Sequence, residues 1–226
     1  MTPNNPRDVT MKVGNLKKEK KFSEAITLLE KSIIKWPKNI FLLSQLISLY
    51  GRSRQVNKAF AVYEEMKAQK IIPDVITYSA LIAAFYNLKR YKDIVTKIKS
   101  DELPLEALPH YCEALKKLKR YDEALSLCNR VFQLTQDKSC CEYAWIVKQS
   151  IQLHHDKKKF LKEMRNPPFD EGNINYPRYI CLRIFGKMYD KNEKRELREK
   201  VKEFLKKERN KNSKNDLENA LNILGS

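Results

Sequence analysis

The sequence predicts an all-α protein built as an α-solenoid, in which helix-turn-helix repeats stack side by side and a degenerate helical region follows. Three observations carry that expectation. Apolar residues return at spacings of three and four along most of the chain, which places them on one face of each helix. A short echo occurs four times, a basic or polar residue, then an apolar one, then a small or apolar residue three further on. The instances are Lys21-Phe22 with Ala25, Gln55-Val56 with Ala59, Arg90-Tyr91 with Ile94, and Arg120-Tyr121 with Ala124, at successive offsets of 34, 35 and 30 residues. Glycine is scarce, five in 226 residues, and tight β-turns and phosphate-binding loops need more.

Each echo marks the turn between a first and a second helix. Residues 1–35 hold one pair with a weak opening helix, and its second helix carries Ala25, Leu28, Leu29 and Ile33. The next pair is expected at 41–51 and 55–69, striped by Ala59, Val62, Tyr63 and Met66. A third follows at 76–88 and 91–100, and a shortened fourth at 108–118 and 121–134, with Ala124, Leu127, Cys128 and Val131 on one face. Pro37, Pro73 and Pro104 follow the second helices, and proline stops a helix.

Beyond about residue 138 the register degrades. Residues 141–164 read as one helix or as a pair broken near His154, 165–178 as a loop with two adjacent prolines, and 178–190 as an apolar-faced helix. Leu197, Val201, Phe204 and Leu205 mark a long charged helix, NKNSKND a polar break, and Leu217, Leu221 and Leu224 a last short helix. On this reading residues 1–135 are the repeat region, and 136–226 are degenerate repeats closed by basic capping helices. A separate C-terminal helical domain is the alternative. One helix pair cannot bury its own apolar face, whereas stacked pairs share a continuous core.

Lys and Arg outnumber Asp and Glu by 45 to 28, a net charge of +17. Such an excess favours a polyanionic partner, whether nucleic acid, an anionic membrane surface or an acidic protein. The bland reading is solubility. Five cysteines, an odd number without a CxxC pair, fit a reducing compartment. No apolar run reaches membrane-spanning length, and the opening MTPNNPRDVT has no signal-peptide core.

Residues 40–74 form a unit of 35 that closes on KIIPD, and the next opens on VITYSALI. These phrases resemble the pentatricopeptide repeat family, within the wider tetratricopeptide-like group of helical repeats. The first unit, with WPKN and FSEAITLL, is closer to a tetratricopeptide repeat, and Lys70 stands where the family has glycine. The resemblance implies a right-handed solenoid that binds single-stranded RNA without catalysis. In the family the fifth and last residues of a repeat address one base, here Ser44 and Asp74, with Ser79 in the following repeat and Asn39 before the central one. The second residue wedges against the base, here Phe41 and Ile76. With one complete pair, no RNA sequence follows.

Physically, a hydroxyl or carboxylate suits the edge of an unpaired base and apolar groups suit its face, while Lys and Arg hold phosphates. The candidate cations recur near the turns between paired helices: Arg52, Arg54, Lys89, Arg90, Lys116, Lys117, Lys119 and Arg120. The same residues also read as solvated turns. Ser44 and Ser79 also read as polar surface positions, and Asp74 as a helix cap.

Other constellations point to packing. His154-His155 with Cys140-Cys141 has no usual zinc spacing, and His110 and Cys112, two apart on a helix, diverge. Glu64-Glu65 lies on an expected solvent face, and Trp36, Trp145, Tyr91 and Tyr121 read as packing residues. Residues 191–215 hold eleven Lys or Arg and five Asp or Glu, and acids at helical spacing favour a capping helix over an RNA or membrane contact. The sequence thus points to a binding protein with no cofactor, metal or small-molecule substrate. Its partner is single-stranded RNA, or an acidic protein if the chain is a tetratricopeptide-type scaffold (a bacterial effector or an assembly factor). The expected location is a cytoplasm, a host's in the effector case, or an organelle matrix.

Overall fold

The computed structural model describes residues 5–165, 177–208 and 211–225, and the loop expected at 165–178 falls almost wholly outside them. Every regular element among the described residues is helical. The chain forms two compact units, Met1–Leu127 and Cys128–Ser226.

The first unit is a stack of helix pairs. Its helices are α1 (Pro6–Lys18), α2 (Phe22–Lys35), α3 (Ile40–Arg52), α4 (Val56–Ala68), α5 (Val75–Asn87), α6 (Tyr91–Lys97) and α7 (Leu108–Lys117), with the start of α8 (Tyr121–Leu134). Three N-termini are capped by the side chains the sequence offers. Asn5 accepts from the Asp8 N–H, Asn39 from Leu42 and Asp74 from Thr77, and each such cap stabilises a helix by about 1 kcal/mol. Helix α6 stops at Lys97, short of the expected residue 100, because Ile98 turns extended at φ −118° and ψ 121°. A 3-10 turn, Leu105–Ala107, then leads into α7, which accounts for the contracted repeat.

First helices lie side by side in one direction. Gln45 of α3 donates to Thr10 of α1, 35 residues earlier, at 3.3 Å, and α3 packs along α5. Gly51 lets α3 and α5 approach closely, since a Cβ there would sit 2.6 Å from the Ala84 Cβ. Leu42, Ile47, Leu49, Tyr63, Leu81 and Phe85 fill the space between pairs and are fully buried. Each buried aliphatic or aromatic side chain stabilises the unit by roughly 1.5–3 kcal/mol.

The turns inside the pairs are alike. Lys20, Arg54, Lys89 and Lys119 all adopt left-handed backbone, with φ between 58° and 61°. In each case that residue donates its N–H three residues back, and its successor donates five back. Arg54 thus reaches Gly51 and Gln55 reaches Tyr50, at 3.1 and 2.8 Å, the double closure that ends helices. Lys70, after α4, and Lys187, in the second unit, do the same.

The second unit contains α9 (Lys138–His155), α10 (Lys157–Met164), α11 (Pro177–Phe185), α12 (Lys191–Lys207) and α13 (Lys211–Gly225). The break near His154 resolves to a pair, with Asp156 between α9 and α10. Its side chain accepts from the Lys159 N–H. The segment expected as a polar break is helical from Lys211, because Leu217, Ala220 and Leu224 draw α13 into a core with Leu197, Val201, Ile184 and Phe160. Exposed charges on α12 pair along their own helix, Glu196 with Lys200 at 2.7 Å and Glu203 with Lys207 at 2.6 Å. Inside this unit Glu163 takes hydrogen bonds from Gln149 at 2.8 Å and Gln152 at 3.4 Å, and pairs with Lys148 at 3.0 Å.

Candidate functional site

The expected base-reading residues fall around the joint between α3 and α5. Ser44 is 1 % exposed, which corrects the expectation that it faces a ligand. Its single proton is shared between the Ile40 carbonyl and the Thr77 hydroxyl, each 2.7 Å away. The Thr77 hydroxyl in turn donates to Asp74 Oδ1 at 2.7 Å, beside the capping bond from the Thr77 N–H at 2.8 Å. Ser44 and Asp74 therefore do converge, but through Thr77, in a polar chain that ties two neighbouring pairs together. The cause is steric: with α3 and α5 in close contact, the fifth residue of α3 lies in the interface. The sequence alone does not reveal it, because any hydroxyl-bearing residue at that position looks alike until its partner on α5 is placed.

Asp74 is half-buried and caps α5, and Asn39 plays the same part for α3. Ser79 is half-buried on α5. Phe41 and Ile76 are the second residues of α3 and α5 and stand 48 % and 55 % exposed. They sit 35 residues apart, at matching places on adjacent parallel helices, so they form a step of exposed apolar surface.

The candidate cations divide into two groups. Some are held by neighbours. Arg90 pairs with Asp93 at 2.7 Å, donates to Asn57 at 2.9 Å and stacks on Phe85, and its hydrogen bond holds the Asp93 carboxyl below the usual carboxylate range. Arg120 binds both oxygens of Glu123 at 2.6 Å, with the same effect on that acid. Lys116 pairs with Glu113 at 2.8 Å. Arg52 lies over the Phe22 ring at 5.0 Å. The second group, Arg54, Lys89, Lys117 and Lys119, is exposed, and none of it meets an acid among the described residues.

Two cations were not singled out from sequence. Lys20 occupies the same place as Arg54, Lys89 and Lys119, one residue before each echo, and that register is the signal that finds it. Lys17, half-buried near the end of α1, is held below its ordinary pKa by burial and by the neighbouring Arg52 charge. A like-charged pair there raises the local positive potential.

Trp145 is buried, as read, in the second unit, whereas Trp36 is only half-buried, with the Lys35 ammonium 4.8 Å from its ring. Tyr91 packs edge-on against Tyr86 at 5.0 Å. No group of three His, Cys, Asp or Glu among the described residues is placed to hold a metal, and no described helix is long and apolar enough to cross a membrane.

Residues 38–87 match the model of the PPR repeat family. That segment thus carries a helical repeat similar to the PPR repeat family. The match spans α3, α4 and α5, which include the Ser44–Thr77–Asp74 chain and the Phe41–Ile76 step. No curated protein matches the chain. Among solved structures it is similar to a tetratricopeptide repeat protein from Parabacteroides merdae ATCC 43184, at 14% identity and a TM-score of 0.49, over 97% of this chain and 98% of that one.

Proposed function

We propose that the first unit binds single-stranded RNA without catalysis. The observation that carries this reading is the Phe41–Ile76 step inside the pentatricopeptide-like segment. Two large apolar side chains held half out of the core on the neighbouring first helices α3 and α5 suit the faces of successive bases, and such stacking is tolerant of sequence. Asp74 and Ser79, half-buried within three residues of Ile76, suit base edges. Arg52, Arg54, Lys89, Lys117 and Lys119 suit phosphates, in a chain with net charge +17. In this reading Ser44 serves the joint between repeats and leaves base contact to its neighbours. A reducing compartment goes with it, in keeping with an odd number of cysteines and no CxxC pair.

A protein-interaction scaffold is the competing reading. Ile34 and Ile72, 83 % and 84 % exposed, are the observation in its favour. Titration with a randomised single-stranded RNA pool separates the two. Wild type is expected to retain RNA, and Phe41→Ala/Ile76→Ala to weaken retention by about tenfold or more while melting like wild type. A chain that retains no RNA at low salt sinks the proposal and leaves the scaffold.

A further inference from the structure

The four turns inside the helix pairs carry a feature that the resemblance does not supply. Left-handed backbone at a helix end normally calls for glycine or asparagine. Here Lys20, Arg54, Lys89 and Lys119 take it, and so do Lys70 and Lys187, so that all six left-handed positions among the described residues are basic. Lys and Arg make up 45 of 226 residues, about one in five, so composition alone does not produce six in six. No described glycine adopts this conformation, although glycine would fit every one of these turns.

Four of the six belong to the first unit's turns between first and second helices. Their offsets are 34, 35 and 30 residues, the same as the repeat itself. The first helices run parallel and side by side, so these turns lie at one end of the stack. All four side chains are exposed, and none meets an acid among the described residues. The double hydrogen-bond closure fixes each Cα, so the cations are set at one per pair on a rigid frame. Lys17 and Arg52, near the first two turns, add to the same potential.

We infer that Lys20, Arg54, Lys89 and Lys119 form a phosphate-binding edge, one cation per helix pair, that takes the backbone of the single-stranded RNA proposed above. The inference rests on that reading of the function. It adds which charges hold the strand and along which edge the strand runs. Each cation also lies at the C-terminus of a first helix, where a positive charge is favourable in any case. If that were its whole purpose, replacement would cost stability and leave binding alone.

The test replaces all four with glycine, which suits the turn backbone. A matched variant removes four charges elsewhere in the unit through Lys12→Gln, Lys31→Gln, Lys38→Gln and Lys70→Gly. Lys70 has the same backbone but lies after a second helix, at the other end of the stack. Binding of a fluorescent oligouridine is measured across a salt series, with melting followed by circular dichroism. The slope of log affinity against log salt is expected to shallow by about 3 in the glycine variant, from about 0.7 per phosphate contact on a single strand. In the matched variant it is expected to change by less than about 1, and neither variant is expected to melt below wild type. Lys89→Gly alone is expected to lose about 0.7, which preserves the test should four changes at once unsettle the fold. Equal loss in the two four-fold variants overturns the edge and leaves RNA binding in place. An unchanged slope in the glycine variant does the same. No binding by wild type overturns both the edge and the function beneath it.

Discussion

Gly51→Ala is the perturbation that probes the α3–α5 joint most sharply. The added Cβ would stand 2.6 Å from the Ala84 Cβ and 3.2 Å from the Ala84 Cα. Carbon atoms rest about 3.5–4.0 Å apart, so α3 and α5 must separate by close to an ångström or bend. Overpacking of that kind costs about 1–3 kcal/mol. Alanine recovers about 0.5–1 kcal/mol through its better helix propensity, less here because Gly51 is next to the helix end. The expected net loss is about 1–2 kcal/mol, several degrees of melting temperature for a unit of this size. Ala84→Gly removes the obstructing methyl, so Gly51→Ala/Ala84→Gly should recover much of what Gly51→Ala loses. Urea unfolding of the four proteins gives the coupling energy, expected at about 1 kcal/mol or more. Additive effects, or a Gly51→Ala protein as stable as wild type, would refute the close approach and with it the alignment of Phe41 with Ile76.

Three further outcomes follow from the polar contacts. Thr77→Val removes the hydroxyl between Ser44 and Asp74 and should destabilise the first unit by about 1–2 kcal/mol in urea unfolding, while Ser79→Ala, away from that chain, should be close to neutral. Tyr63 is fully buried, and burial pushes its phenol up to about 12. Tyr50, which donates to Glu30 at 2.5 Å, and Tyr78 move the same way. A raised phenol favours the folded state fully below pH 10 and loses that advantage as pH climbs through the folded value. Unfolding midpoints should therefore hold steady to about pH 10 and fall above it, and Tyr63→Phe should blunt the fall. In the second unit burial pushes the Glu163 carboxyl up, but hydrogen bonds from Gln149 and Lys148 outweigh it and leave it below its usual 4.5. Its contribution is present above that value and lost as pH drops below it. Glu163→Gln should lower stability at pH 7 and flatten the acid limb, read by tryptophan fluorescence of Trp145.

Much of the architecture is written in local patterns. The echoes sit at helix-to-helix turns because the residue one turn into each second helix must face the core, and Ala25, Ala59, Ile94 and Ala124 are all buried. Pro37, Pro73 and Pro104 each follow a second helix, as proline's missing donor requires. The polar run that opens α13 hid its helix, since asparagine and lysine show little until Leu217 and Leu224 meet α12. The site was less legible. Phe41 and Ile76 are marked only by the resemblance, as second residues of their repeats, and the structure leaves them 48 % and 55 % exposed. A serine's surroundings depend on a residue 33 positions away, Thr77, which no local pattern specifies. The basic turns lay in view, but left-handed backbone is a property of the closed turn, and glycine, its usual sign, is absent from all of them.

Ultraviolet cross-linking of the whole chain to uridine-containing single-stranded RNA, with the joined peptides mapped by mass spectrometry, addresses the binding surface head-on. Adducts are expected on the peptides that open α3 and α5, at or beside Phe41 and Ile76, and to vanish at high salt. Adducts confined to α12, or none in the first unit, would contradict the account.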